Sequence, residues 1–249
     1  HWTSTDEPHN ISGLEEGKTY TLIEKTAPDD YVKAEEITFE VTTDKENQKV
    51  EMKDKQVSFT KTDVTGEKEI EGATITVTDE DGKTIDEWVS TKDAHYIQGL
   101  EEGKEYTLTE TTSPEGYVKA EAVKFEVTNE KVNQTVTMKD KQVSIKKTDI
   151  TNGKEIPGAK LEVTDKETNE VVDKWTSTDE AHNVSGLEEG KTYILTETTA
   201  PNGYDVAESI EFTVTNEKVD QVVEMKDAPF TTIQVNKVDA NTKQAIVSK

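Results

Sequence analysis

The sequence predicts an all-β protein of tandem domains, each a β-sandwich or a small Greek-key barrel. Apolar and polar residues alternate over runs of strand length, and threonine and valine are frequent in these runs. Gly, Asp and Asn interrupt the runs roughly every eight to twelve residues. No segment combines a helical period with capping residues. The pattern therefore favours antiparallel strands joined by turns.

An internal repeat defines the domains. The motif WTSTDEPHNISGLEEGKTYTL at Trp2 recurs in similar form at Trp88 and Trp175, at steps of 86 and 87 residues. This step is too long for a helical solenoid unit and is typical of a small β domain. We predict complete domains over 57–142 and 143–228. Residues 1–56 resemble the last two thirds of a preceding domain, and 229–249 the start of a following one.

Within the domain 57–142 the predicted strands follow one another in a clear order. The opening strand is VSFTKTD, starting at Val57, and the segment Thr74–Trp88 reads as a hairpin with Asp81-Gly82 at its turn. The segment GLEEGK forms a second turn before the strand YTLTE, which ends at Glu110. The strand VTMKD, ending at Asp140, closes the domain.

Charged residues occupy inward positions in three of these strands. Side chains two apart on a strand share a face, so Lys61, Glu110 and Asp140 point the same way as their apolar neighbours. The lysines at 139, 146 and 226 fall on the opposite, solvent-facing side. The same spacing predicts inward positions for Lys147, Glu197 and Asp227 in the next domain, and for Glu24, Asp54 and Lys237 in the incomplete ones.

Two interpretations of these charged residues remain open. Three charges in one core must neutralise one another, which a buried salt-bridge triad does. Alternatively, burial favours the neutral amine and the protonated carboxyl, and a neutral lysine held against an aspartic acid is a nucleophile facing an electrophile. With the glutamate moving protons, the product is a Lys–Asp isopeptide bond and one water.

The motifs VSFTKTD, EGATITVTDEDGK, LTETTSPEGY and VTMKD, in this order, resemble the SpaA-like (Cna protein B-type, prealbumin-like) domains of Gram-positive surface proteins and pilins. The resemblance covers essentially the whole chain. It implies a Greek-key β-sandwich with an Ig-like architecture. It also implies isopeptide bonds from Lys61 to Asp140 and from Lys147 to Asp227, catalysed by Glu110 and Glu197. Glu24, Asp54 and Lys237 are then unpaired partners in the incomplete domains.

The chain departs from the pattern of this family at the acceptor, and in the first copy Lys25 replaces the threonine that follows the glutamate. Asparagine is the commoner acceptor in these domains, whereas each copy here has aspartate, so water rather than ammonia must leave. No YPK-like pilin motif or LPXTG-like sorting signal occurs, and polymerisation of this segment by sortase is therefore unsupported.

Composition excludes several classes of function. The net charge of -24 opposes binding to nucleic acid or anionic membranes, and no run of about 18 apolar residues is present. The chain has no cysteine, hence no disulfide or thiolate metal site. The histidines at 9, 95 and 182 are expected in loops, and Asp79, Glu80 and Asp81 lack the ligand spacing of an EF-hand. We expect no cofactor and no metal.

The sequence thus predicts a stalk segment of an extracellular, cell wall-anchored protein of a Gram-positive bacterium, whose partners are other domains of the same protein. Its chemistry occurs once per domain, so it is not a turnover enzyme. The alternative is an adhesin whose repeats bind a host or matrix ligand; the near-identity of the repeats favours the stalk. Unlinked domains with a buried ion triad are a third possibility.

Overall fold

The computed structural model describes residues 1–44, 47–231, 233 and 235–246. Within these ranges the regular secondary structure is all β, as predicted, and no helix long and apolar enough to cross a membrane occurs there. The chain divides into two compact units. Unit 1 comprises His1–Lys141 and Asn216–Val219, and unit 2 comprises Gln142–Thr215 and Asp220–Lys249.

Unit 1 begins with a two-stranded sheet. Strands β1 (Thr19–Leu22) and β2 (Ile37–Glu40) pair antiparallel and place Tyr20 opposite Phe39. The segment that contains Val50, Met52 and Asp54 is outside the strands of the described chain, and Val50 is 37% exposed.

Residues 57–141 of unit 1 form two sheets. Their strands are β3 (Val57–Asp63), β4 (Thr74–Thr78), β5 (Thr84–Val89), β6 (His95–Tyr96), β7 (Glu105–Thr112), β8 (Val123–Glu126) and β9 (Gln134–Asp140). One sheet has the order β6-β3-β9 and the other β5-β4-β7-β8. Apolar side chains from both sheets meet in one buried core, among them Phe59, Ile75, Leu108 and Met138.

The β4–β5 connection is the predicted hairpin. Gly82 adopts a φ of 79° at the turn, a conformation that glycine reaches without steric cost, and Gly82 N donates to the carbonyl oxygen of Asp79 at 3.0 Å. A bulge between Val77 and Thr78 shifts the register of the pairing. The turn chemistry read from Asp81-Gly82 is confirmed.

Unit 2 repeats this arrangement. Its strands are β10 (Val143–Asp149), β11 (Lys160–Asp165), β12 (Val171–Thr176), β13 (His182–Asn183), β14 (Thr192–Thr199), β15 (Ile210–Thr213) and β16 (Gln221–Asp227). They form sheets of order β13-β10-β16 and β12-β11-β14-β15. Leu161, Leu195 and Met225 are among the buried core residues.

The expectation of antiparallel strands throughout is wrong for one pair in each unit. Strand β3 pairs with β9 in parallel, as β10 does with β16. Alternation of apolar and polar residues records which face a side chain occupies and not the direction of the strand. The first and last strands of the domain therefore run side by side in the same direction.

The predicted inner face of Ile233, Val235 and Lys237 is not formed. Ile233 is 79% and Val235 is 86% exposed, Lys237 is also exposed, and none of the three lies in a strand. In segments 57–142 and 143–228 the opening strand is paired with a closing strand, and among the described residues after 228 no strand is available for such a pairing.

Candidate functional site

Lys61, Glu110 and Asp140 meet in the core of unit 1. Each is almost completely buried, with 2%, 0% and 1% of its surface exposed. Lys61 Nζ lies 3.0 Å from Glu110 Oε1 and donates a hydrogen bond to Asp140 Oδ1. All three side chains therefore lie on the inward face that their spacing predicts.

Strand pairing explains how these side chains come together. In the parallel β3–β9 pair, Lys61 lies opposite Met138, and Asp140 follows two residues later on the same face. The long lysine side chain spans this offset. Glu110 comes from β7 in the other sheet, opposite Ile75 of β4. The cluster thus joins the first strand, the last strand and the facing sheet.

Two backbone amides hydrogen-bond to carboxylates at this cluster. Ala120 N donates to Glu110 Oε2 at 2.7 Å, which leaves Oε1 facing the lysine. Lys61 N donates to Glu69 Oε2 at 3.1 Å, which holds β3 beside the following loop. Glu69 was not among the predicted site residues, although its counterpart Glu155 lies at the same eight-residue spacing after Lys147. Glu155 Oε2 accepts from Lys147 N at 2.9 Å.

Burial changes the acidity of the Asp140 carboxyl. It raises the pKa of Asp140 from 3.8 to about 7; the charge of Lys61 opposes this effect and that of Glu110 adds to it. Asp140 Oδ2 and Glu110 Oε1 are buried without a hydrogen-bond partner of good geometry. The protonated form of Asp140 is therefore accessible near neutral pH.

Unit 2 contains the same cluster. Lys147 Nζ lies 3.0 Å from Glu197 Oε1 and donates to Asp227 Oδ1, and Ala207 N donates to Glu197 Oε2 at 2.7 Å. Burial raises the pKa of Asp227, with Lys147 opposing the rise and Glu197 adding to it. Lys146 and Lys226 are exposed, in agreement with the predicted outward positions, and Lys139 is half-buried with its amine on the Val64 carbonyl.

The segment 1–56 contains carboxylates at the matching positions. Glu24 Oε2 accepts from Ala34 N at 2.7 Å, as its counterparts do in the complete domains. Burial raises the pKa of both Glu24 and Asp54. The hydrogen bond from Ala34 opposes the rise at Glu24, and the neighbouring Asp54 carboxyl adds to it.

The recurring histidines have a structural role. His95 and His182 lie in the short strands β6 and β13, so their assignment to loops is wrong. The ring of His95 stacks on Trp88, with ring centroids 4.3 Å apart, and its Nε2 lies 2.8 Å from Asp86 Oδ2. Stacking holds the imidazole where the short strand pairs with β3, an interaction that the single-strand pattern does not reveal. The same stack joins Trp175 to His182 and Trp2 to His9.

The acidic turn at Asp79 is a local backbone cap. Asp79 Oδ1 accepts from Asp81 N at 3.1 Å and from Lys83 N at 2.9 Å. Among the residues that the structure describes, no group of three or more His, Asp or Glu side chains is arranged to hold a metal ion.

The sequence matches the model of a known protein family. The family model of the SpaA prealbumin-like fold domain matches residues 2–56, 55–142 and 141–229. The chain belongs to the SpaA family. Its domains are prealbumin-like all-β sandwiches, as the resemblance implied. No curated protein matches the chain significantly.

Several solved structures are similar to the SpaA domains of this chain. The Bacillus anthracis TIE protein is 23% identical, at a TM-score of 0.30, over 85% of this chain. The chain covers 42% of that protein's length. A streptococcal ancillary pilin is 20% identical, with 85% of this chain and 76% of the pilin covered and a TM-score of 0.33. The shaft pilin SpaA of Lactobacillus rhamnosus GG is 15% identical, with 72% and 98% covered and a TM-score of 0.33.

Proposed function

We propose that this chain is a stalk segment of a Gram-positive surface protein or pilin whose domains are crosslinked by Lys61–Asp140 and Lys147–Asp227 isopeptide bonds. Membership in the SpaA family supports a structural, non-enzymatic role outside the cell, in association with other pilin or surface-protein domains. The crosslinked domains are 57–142 and 143–228, between the incomplete domains 1–56 and 229–249.

The observation that carries this proposal is the position of one amine between two carboxyls in a water-excluded core. Lys61 Nζ contacts both Asp140 and Glu110, and each carboxyl has an oxygen without a hydrogen-bond partner of good geometry. One ammonium beside two carboxylates leaves an uncompensated negative charge in this core, which burial makes costly. Protonation of Asp140 removes that charge, and a protonated carboxyl is the form that an amine can attack.

The reaction follows from the contacts. The neutral Lys61 Nζ attacks Cγ of the protonated Asp140, and a C–N bond forms. Glu110 takes a proton from the amine and returns it to the hydroxyl group on Cγ, so that the C–O bond breaks and one water leaves. Carboxyl and amine are thus converted to an amide, and Glu110 regains its starting state. The contact geometry replaces a bimolecular encounter by a reaction between fixed neighbours.

A covalent link at this position has a mechanical consequence. Lys61 lies in the first strand of the domain and Asp140 in the last, 79 residues apart, and these strands run parallel in one sheet. A force applied at the two ends of the domain then passes through the amide. The sheets in between carry no load and cannot be pulled apart in sequence.

Single-molecule force spectroscopy on the full chain tests the stalk function. Wild-type domains should show no unfolding extension, because the amide carries the applied force and the chain between the linked residues is not stretched. The Glu110→Ala/Glu197→Ala variant should show extensions of roughly 250 Å per domain, the length of about 79 residues pulled straight. Equal extensions in both proteins would overturn the proposal.

A further inference from the structure

A second buried lysine lies outside the isopeptide site. Lys55, two residues before β3, is 1% exposed. Its Nζ donates to the carbonyl oxygen and to Oγ1 of Thr128, the latter at 3.0 Å, and to the carbonyl oxygen of Glu130 at 3.2 Å. Burial lowers the pKa of Lys55, and the Glu102 carboxylate opposes this effect. A residue of the segment 1–56 is thus held by three acceptors of the segment 57–142, and both segments belong to unit 1.

Two backbone amides of segment 1–56 also donate hydrogen bonds to segment 57–142. Lys33 N donates to the Leu100 carbonyl at 3.1 Å, and Glu35 N donates to Glu102 Oε2 at 3.0 Å. Lys131 also donates to Glu102 Oε2, and none of the Glu102 side chain is exposed. The chain of one domain is therefore bound by the turn GLEEGK of the next.

Val32 supplies an apolar contact between segments 1–56 and 57–142. It is 1% exposed and belongs to the same core cluster as Val57, Ile97 and Leu100. Its amide donates to the Lys55 carbonyl at 2.9 Å, so the two residues are connected directly. One domain thus supplies a side chain to the core of the following domain.

We propose that Val32, Lys55, Glu102, Thr128 and Lys131 form a docking joint by which one SpaA domain binds the next, so that segments 1–56 and 57–142 move as one body. The partner that this surface fits is another copy of the domain. That copy contributes the segments YVKAE, residues 31–35 here, and KDK, residues 53–55 here. The joint does not depend on isopeptide chemistry, since none of its residues touches Lys61.

The sequence repeats the joint once and then changes it. Val118 and Lys141 match Val32 and Lys55 in the sequence, and they are 1% and 0% exposed. Val118 N donates to the carbonyl oxygen of Lys141. Lys141 Nζ donates to the carbonyl oxygen of Glu217, which also belongs to unit 1. In the third copy the matching residues are Asp205 and Ala228, both exposed. Neither an apolar side chain nor an amine is available at these two positions, although Asp205 N still donates to the Ala228 carbonyl at 3.3 Å.

Distance measurements between spin labels test the joint in the full chain, which has no native cysteine to interfere. Labels at Thr21→Cys and Glu87→Cys report on the two segments, since both positions are exposed. The wild-type background should give one narrow distance distribution. Lys55→Ala should broaden it by about twofold or more, because adjoining domains without a large interface move freely. Lys53→Ala, at an exposed position two residues earlier, is the control and should leave it narrow.

Hydrogen exchange distinguishes a lost joint from a lost fold. In Lys55→Ala the amides of Lys33 and Glu35 should lose protection, whereas those of β3 and β9 keep it. The double variant Val32→Asp/Lys55→Ala, which carries the residues of the third copy, should give the same result. An unchanged distribution would overturn the proposal. So would loss of protection in β3 and β9, because Lys55 would then support the fold of the domain and not its docking.

Discussion

The amino group of Lys61 lies 3.0 Å from Glu110 Oε1, with 1% and 0% of the two side chains exposed. This contact brings an amine from the first strand to a carboxylate of the facing sheet, beside the Asp140 carboxyl of the last strand. The arrangement recurs with Lys147, Glu197 and Asp227.

Loss of the glutamate should lower stability in one domain. Glu110→Gln retains the shape of the side chain but not its base, so residues 57–142 should remain unlinked. Closure of a 79-residue loop contributes about 4.5 kcal/mol to the free energy of unfolding by chain entropy. Urea denaturation should show an additional transition at lower urea for this variant. Glu126→Gln, exposed on β8, is the matched control, and equal midpoints for the two variants would contradict the prediction.

Linking should slow on acidification below about pH 7. The reaction requires a neutral amine and a protonated carboxyl. Below the pKa of Asp140 the dominant pair is an ammonium and a protonated carboxyl, which together hold one proton more. The rate after refolding from urea should therefore fall about tenfold per pH unit below about 7. Mass spectrometry of samples quenched at intervals measures this rate.

Unfolding does not account for that loss of rate. Folding raises the pKa of Asp140, so this carboxyl stabilises the unlinked domain at low pH, and the contribution is lost as pH rises through about 7. Acidification thus favours the fold while it slows the reaction. A rate that increases from pH 7 to pH 5 would contradict the proposed proton count.

Asparagine at the acceptor position should give the same product. Asp140→Asn would release ammonia in place of water, and the resulting amide is chemically identical to that of the wild type. The linked variant should therefore have the wild-type mass, and its rate should still fall on acidification, because the Lys61 ammonium must lose a proton before it attacks. Asp140→Ala is the control and should lose this link alone. An unlinked Asp140→Asn protein beside a linked wild type would contradict the prediction.

Glu69 should affect stability without affecting the bond. Its carboxylate accepts from the backbone amide of Lys61 and does not touch the reacting atoms. Glu69→Ala should lower the free energy of unfolding by about 1 kcal/mol and retain the loss of one water per link relative to the mass of its own sequence. Glu67→Ala, at an exposed position in the same loop, should change neither. Loss of the link in Glu69→Ala would assign Glu69 a part in the reaction.

The sequence predicted the inward faces well because a strand has a period of two. Lys61, Glu110 and Asp140 could each be placed from neighbours two residues away. The direction of β9 beside β3 could not, since alternation is the same in parallel and antiparallel strands. His95 was assigned to a loop because a two-residue strand leaves no periodic pattern.

Lys55 and Lys141 were missed for a different reason. The segment KDKQVS reads as a polar linker, yet both lysines are buried. Their acceptors are largely backbone carbonyls more than 70 residues away, and backbone groups leave no signature in a sequence. The described residues 233, 235 and 237 lie outside any strand, because strand formation requires a partner strand, which a local pattern does not supply.

The intact mass of the purified chain tests the central claim most directly. Two Lys–Asp condensations should lower the mass by about 36 Da, one water of about 18 Da per bond, relative to the sequence. The Glu110→Ala/Glu197→Ala variant should lack this deficit, and the control Glu126→Ala/Glu211→Ala, changed at exposed positions, should retain it. A wild-type mass equal to that of the uncondensed sequence would contradict the account and leave Lys61, Glu110 and Asp140 as a buried ion triad.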